Sequence, residues 1–317
     1  MTRRVAGDSG QGQHGAVAST GRGSMAHRVD THCHVWDRAR WRPAILSRGA
    51  TDIIRRSFGL DEWRRSASEC GIDRCVIVQA VRDTRETREL LFLAADVEAV
   101  IAVVGWVDLE APVVGSTLAS LQSGEGGGKL VGVRLPLHLQ RDAKWLSEPG
   151  VRRGLDALLG RQLQLELTLS PAHWHAALQI FSAFPAAPVV LDHMGGVPTT
   201  DEEWRAWNLF MSEASLHENV WCKISGQASW ASANGHSGGV FAAAVKRCVE
   251  LFRWDRLLWG SDWPVCLLEG SYSAIYHETA SILGDGRWLA VLSENAEHWY
   301  SSSRGGGVIP AVTYAPW

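Results

Sequence analysis

Lysine is nearly missing from this chain. Of its 31 basic residues only Lys129, Lys144, Lys223 and Lys246 are lysine, and 34 acids leave a net charge of −3. Neither sign dominates, so the charge favours neither a nucleic acid nor an acidic membrane surface as partner. Long apolar runs are missing too: none approaches the ~18–20 residues that a transmembrane helix needs. The six cysteines (Cys33, Cys70, Cys75, Cys222, Cys248 and Cys266) contain no C-x-x-C pair and no small-domain spacing. That excludes a disulfide framework and points to reduced thiols in a cytoplasmic protein. "GEGGG" (124–128) neither follows a strand nor opens a helix, so it is no phosphate loop. "HWH" (173–175) falls in a helical stretch, where residues two apart do not share a face.

What remains is the composition of an ordinary globular protein, 46% apolar and 21% charged, with an unusual sixteen tryptophans. Residues 1–26 are rich in Gly, Ser and Arg, with no apolar core of a secretory signal. They read as a disordered tail, or as sequence upstream of a start at Met25. Residues 301–317 are similarly loose, leaving one domain over 27–300.

Within it, eight short β-branched runs alternate with amphipathic stretches. The strands are expected at 27–32, 74–80, 100–107, 130–136, 162–169, 188–193, 220–225 and 256–262. Most are apolar almost throughout, as when both faces of a parallel strand are covered. Helices are expected at 60–71, 84–96, 148–161, 170–184, 201–215 and 238–252. This alternation favours a (β/α)8 TIM-type barrel over an open doubly wound sheet.

In such a barrel the chemistry sits at the carboxyl ends of the strands. His32 and His34 follow strand 1, Gln79 strand 2, Arg134 strand 4, His193 strand 6, Ser225 strand 7 and Asp262 strand 8; Glu166 is late in strand 5. Residues i and i+2 of a strand share a face, so His32 and His34 of "HCH" can aim at one point, either as metal ligands or as loop histidines bonded to backbone. In "LDHMGG" (191–196) Asp192 can orient a neighbour while His193 faces the mouth. In "LLWGSDWPV" (257–265) the strand is halted by Pro264 with Asp262 at the rim, where a carboxylate can take a proton from water or merely cap a turn. Arg134 offers a planar fork to a polar substrate oxygen or to a structural acid. Glu166 can ligate a metal, bond sugar hydroxyls or pair with Arg134, and Lys223 is expected to pair with Asp30 inside the barrel.

"VDTHCHVWD", "VQA", "GVRLP", "LDHMGG", "WCKISG" and "LLWGSDWPV", in this order, resemble the lactonase branch of the amidohydrolase superfamily, from about residue 27 to "ENAEHWY" (294–300). The resemblance implies a distorted (β/α)8 barrel that hydrolyses a cyclic ester. It implies roles for His32, His34 and His193 about the reacting centre, with Asp262 as general base and Arg134 as a substrate contact. Members of the branch act either without metal or with one divalent ion such as zinc, for which His32 and His34 are the candidate ligands. Arginine on strand 4, in place of the bridging lysine of binuclear members, argues against a two-metal site.

The function expected is the opening of a lactone to a hydroxy acid. Gln79, Glu166, Arg134 and the tryptophans Trp36, Trp230 and Trp263 suit a polar ring on an aromatic surface, hence a sugar lactone. A metal-dependent decarboxylase of the same superfamily and an inactive barrel kept for binding are the competing readings. The partner expected is this small molecule, with neither nucleic acid nor membrane, and a homo-oligomer is left open.

Overall fold

The computed structural model describes residues 27–47, 52–140, 142, 144–233, 238–284 and 287–302; the expected tails, apart from Ser301 and Ser302, lie outside these. Eight parallel strands form one sheet in sequence order. They are β1 (Val29–Cys33), β2 (Arg74–Val78), β3 (Val100–Gly105), β4 (Leu130–Pro136), β5 (Gln164–Thr168), β6 (Val189–Leu191), β7 (Val220–Ile224) and β8 (Leu257–Trp259). Each falls within the run expected from sequence or one residue beyond it, and the architecture is the (β/α)8 barrel.

The expected helices are present as α1 (Leu60–Ser68), α2 (Thr84–Ala94), α4 (Pro149–Leu159), α5 (Trp174–Ala183), α6 (Asp201–Ala214) and α8 (Gly238–Phe252). Their starts follow local chemistry. The Asp83 side chain caps α2 by accepting from Arg85 N, Pro149 opens α4, and Thr200 caps α6 ahead of three acids in its first turn. Five more were not anticipated: α3 (Val114–Ser123), α7 (Gln227–Ala233), α9 (Tyr272–Leu283), α10 (Trp288–Leu292) and α11 (Glu294–Ser302). Among the described residues no helix is long and apolar enough to cross a membrane.

The core has two parts. The larger lies between the strands and the surrounding helices. A smaller cluster includes Val29, Val76, Val78, Ala102, Val104, Val190, Trp221 and Leu258, with Ala296, Trp299 and Tyr300 of α11. Helix α11 therefore plugs the end of the barrel where the strands begin, leaving the opposite end open. The six cysteines are buried and free.

The distortion is at the seam. β1 and β8 share no ladder; Thr31 Oγ1 donates to Trp259 O (2.7 Å), and beyond β8 come a bridge between Cys33 and Trp263 and the backbone bonds Asp262 N to His32 O (2.9 Å) and His34 N to Trp263 O (2.7 Å). Asp30 compensates for the missing ladder. Its buried carboxylate accepts from Ser261 N (2.9 Å) and Oγ (2.6 Å), Trp63 Nε1 (3.0 Å), Tyr272 OH (3.0 Å) and His32 N (3.2 Å). β1, α1, α9 and the segment after β8 are thus tied to one side chain. Gly260 lets the seam close, since a Cβ there would lie 2.3 Å from His32 Cβ.

The expected Asp30–Lys223 pair does not form, because Asp30 is saturated by neutral donors at the seam while Lys223 reaches other acids. Replacing Asp30 with Asn sets an amide NH2 either against the backbone N–H groups of Ser261 and His32 or against Trp63 Nε1, none of which can accept. Asp30→Asn should lose roughly 3 kcal/mol of unfolding free energy in urea titration. A loss under about 1 kcal/mol would show that the seam does not depend on this carboxylate.

Candidate active site

His32, His34, His193, Asp262, Arg134 and Gln79 come together at the open end of the barrel. His34 Nε2 lies 3.3 Å and His32 Nε2 3.8 Å from Asp262 Oδ1, and the His32 ring centroid is 5.0 Å from that of His34 and 4.8 Å from that of His193. A cavity of about 950 Å³ opens above them, with His34, His193, Asp262, Arg134, Gln79 and Trp36 in its wall.

Two of these residues occupy backbone regions that side chains seldom adopt. Asp262 (φ 58°), His193 (φ 52°) and the adjacent Met194 (φ 55°) are left-handed, a conformation that persists only where its surroundings impose it. Three tryptophans impose it at the turn after β6. Trp230 donates to His193 O (3.2 Å), Trp207 to Met194 O (2.9 Å) and Trp174 to Gly195 O (2.7 Å). The β7 loop passes close to the same histidine, and a Cβ on Gly226 would lie 2.6 Å from His193 Cγ.

Hydrogen bonding sets the tautomers. His34 Nδ1 lies 2.8 Å from Val78 O, a carbonyl that can only accept, so Nδ1 carries a proton and Nε2 is the nitrogen turned to Asp262. His193 Nδ1 bonds Ser225 Oγ (2.8 Å), whose own proton is directed to Lys223 O. His32 Nδ1 lies 3.3 Å from Asp192 Oδ1. Nε2 of His34 and of His32 thus face Asp262 Oδ1, and contacts so close need a proton or a cation between the two groups. The ligand atoms of His32, His193 and Asp262 lie within 4.8 Å of one another. Two imidazole nitrogens and a carboxylate are a donor set that suits one divalent ion such as zinc with open positions for water or substrate.

Beneath this floor lies a buried ion cluster. Lys223 Nζ is 2.8 Å from Glu166 Oε2, 3.2 Å from Asp192 Oδ1 and 3.3 Å from His32 Nδ1. Burial opposes the charge on Lys223, but Asp192 and Glu166 outweigh it and hold the amine protonated. Burial likewise opposes the charge on Asp192, and Lys223 with His32 overrides it, keeping that carboxyl well below the usual range. One cation cannot hold two carboxylates equally: Glu166 is pushed up to about 7 by burial, with the Asp192 charge adding to it. Tyr300 of α11 donates to Glu166 Oε1 (2.9 Å) and Thr168 to Asp192 Oδ2 (3.0 Å).

Three expected substrate contacts are placed elsewhere. Glu166 is 0% exposed and absent from the cavity wall, because its oxygens are taken by Lys223 and Tyr300; nor does it pair with Arg134, which bonds Gln79 O (2.5 Å) and approaches His32 Nε2 (3.5 Å). Trp263 turns into the outer core, edge-on to Phe58. Trp230 supports His193 rather than a ligand. Sequence reading missed two wall residues, Arg42 and Arg82, which lie on loops with neither motif nor periodicity.

Burial raises the Asp262 carboxyl, but positive charge on His193, a hydrogen bond from His34 and positive charge on His32 outweigh this and hold it down at about 2 while those rings are protonated. Burial lowers His193, assisted by Arg134 and His34, and lowers His32 further. Protonating either histidine at Nε2 removes a lone pair from the site. kcat/KM should therefore be level above pH 6.5 and fall on an acid limb whose midpoint lies below 6.5. A limb centred above pH 7 would contradict the lowered pKa of His193 and His32.

A family profile described as amidohydrolase matches residues 29–301. The chain is 32% identical over 295 residues to L-fucono-1,5-lactonase of Burkholderia ambifaria, covering 89% of this chain and 98% of that protein. It is 29% identical over 266 residues to L-fucono-1,5-lactonase of Burkholderia multivorans, covering 79% and 86% respectively. A crystal structure of an amidohydrolase from Burkholderia multivorans with bound zinc superposes with a TM-score of 0.77 at 24% identity, covering 87% of this chain and 99% of that one. The chain belongs to the amidohydrolase family, in the branch that holds these lactonases.

Proposed function

We propose that this protein hydrolyses a sugar lactone to its hydroxy acid, with Asp262 as general base. The observation that carries the reading is the convergence of three histidine rings on the Asp262 carboxylate at the mouth of a polar cavity. Water seated on Asp262 loses its proton as it attacks the ring carbonyl, and Asp262 returns the proton to the departing alkoxide. Arg134, charged and in the cavity wall, faces the oxygen that becomes negative, a role the histidines cannot fill while Nε2 carries no proton. A divalent ion held by His32, His193 and Asp262 would supply Lewis acidity toward the carbonyl and the water.

Gln79 supports a polyhydroxy substrate. It is 1% exposed, lines the cavity, and neither Oε1 nor Nε2 has a protein partner. A buried amide left so is poised to meet ligand hydroxyls. Trp36, in the same wall, provides the apolar surface for the ring.

A pH-indicator screen against aldonolactones and muconolactones, with and without chelator, should find ring opening of an aldonolactone. Asp262→Asn should lower kcat by about 10³-fold while substrate still binds. Near-normal turnover by that variant would remove Asp262 from the chemistry, and release of carbon dioxide without ring opening would point to a decarboxylase.

A further inference from the structure

Ring opening uses the floor of the cavity and leaves two arginines in its wall without a task. Arg42, in the segment after β1, and Arg82, in the loop after β2, are exposed and line the cavity. Neither has an acid partner among the described residues. Nearby, Arg40 pairs with Glu89, Arg56 with Glu62 and Arg85 with Asp83, and none of these three lines the cavity. β1 and β2 are adjacent in the sheet, so their loops share one side of the mouth. Arg134 leans the same way, bonded to Gln79 O at the end of β2. The acids of the wall, Asp262 and Glu269, both follow β8. Charge is therefore segregated around the cavity, with arginines after β1, β2 and β4 and carboxylates after β8.

A neutral sugar lactone makes no use of this arrangement. Two unpaired guanidinium forks at the rim of a shielded cavity are suited to a carboxylate, and they repel cationic ligands. Asp262 in turn repels a carboxylate from the reacting end, which sets the direction in which such a substrate enters. We infer that Arg42 and Arg82 form an anion subsite, and that the lactone this cavity takes carries a second carboxylate, remote from the reacting carbonyl: the monolactone of a polyhydroxy dicarboxylic acid. This rests on the lactone-hydrolase reading above and specifies its substrate class. The strand-end motifs, which offer only Arg134, gave no sign of it.

Glucono-1,4-lactone and glucaro-1,4-lactone test the subsite, because they differ only in a CH2OH against a carboxylate at the far end. The wild-type protein should favour the acidic lactone by about tenfold or more in kcat/KM, mainly through KM, and about 0.5 M salt should shrink the preference. In the double variant Arg42→Gln/Arg82→Gln the ratio of the two kcat/KM values should fall to near one. A wild-type ratio near one, or a ratio that survives in the double variant, would overturn the proposal. Calorimetric binding of glucarate against gluconate is read alongside and needs no turnover. If neither lactone is hydrolysed, the lactone-hydrolase reading fails, and this arm still decides the subsite: tighter glucarate binding lost in the double variant supports it, and equal affinity for the two acids overturns it.

Discussion

The buried carboxylate of Asp30 is the constraint on which the remainder of the molecule depends. A barrel of eight parallel strands must close between its first and last strands, and here β8 pairs with β7 but builds no ladder with β1. Five hydrogen bonds to one side chain replace it, from Ser261, Trp63, Tyr272 and the backbone of His32. Because Asp30 lies two residues before His32 and binds Ser261, next to Asp262, closing the seam also brings the histidines against the base. The stability of the fold and the geometry of the chemistry are set by the same contacts.

The charges are arranged in depth. At the bottom α11 places Tyr300 on Glu166; above it Lys223 balances Glu166 and Asp192; Asp192 meets His32; and His32, His34 and His193 surround Asp262. Each layer fixes the protonation of the next. Val78 O receives the Nδ1 proton of His34, Ser225 Oγ meets Nδ1 of His193, and Nδ1 of His32 lies between Asp192 and Lys223, so the other ring nitrogens are left for the site. An ionised Asp262 facing His34 and His32 is the consequence. Its low pKa makes it a weak base in water, and its value to the reaction lies in its fixed position, imposed through a left-handed backbone.

Much of this is legible in the sequence where a local rule applies. Eight apolar β-branched runs announce the strands, since both faces of each are covered, and a polar residue at or near the end of every run but the third announces the open end of the barrel. Helices α3 and α9 have small or mixed side chains and weak amphipathic patterns, and α11 has the composition of a tail although its Trp299 and Tyr300 plug the barrel. Partnerships across the interior are not local. Lys223 on β7 meets Glu166 on β5, two strands away, through the tilt of the strands, and nothing in the spacing distinguishes that partner from Asp30. Trp263 follows Asp262 directly but turns to the outer core, and Trp230 serves the backbone of His193. Loop residues such as Arg42 and Arg82 carry no periodicity, so their place in the wall emerges only from the fold.

The central claim is that water, seated on Asp262, attacks the lactone carbonyl directly. Single-turnover hydrolysis in oxygen-18 water, with enzyme in excess over lactone, tests it. The account predicts one heavy oxygen in the carboxylate of the first product formed and none in its new hydroxyl. An unlabelled carboxylate in that first turnover would mean that an enzyme group, and not water, attacks the carbonyl; label in the hydroxyl would mean that the other bond of the ester is cut. Either result would contradict the mechanism.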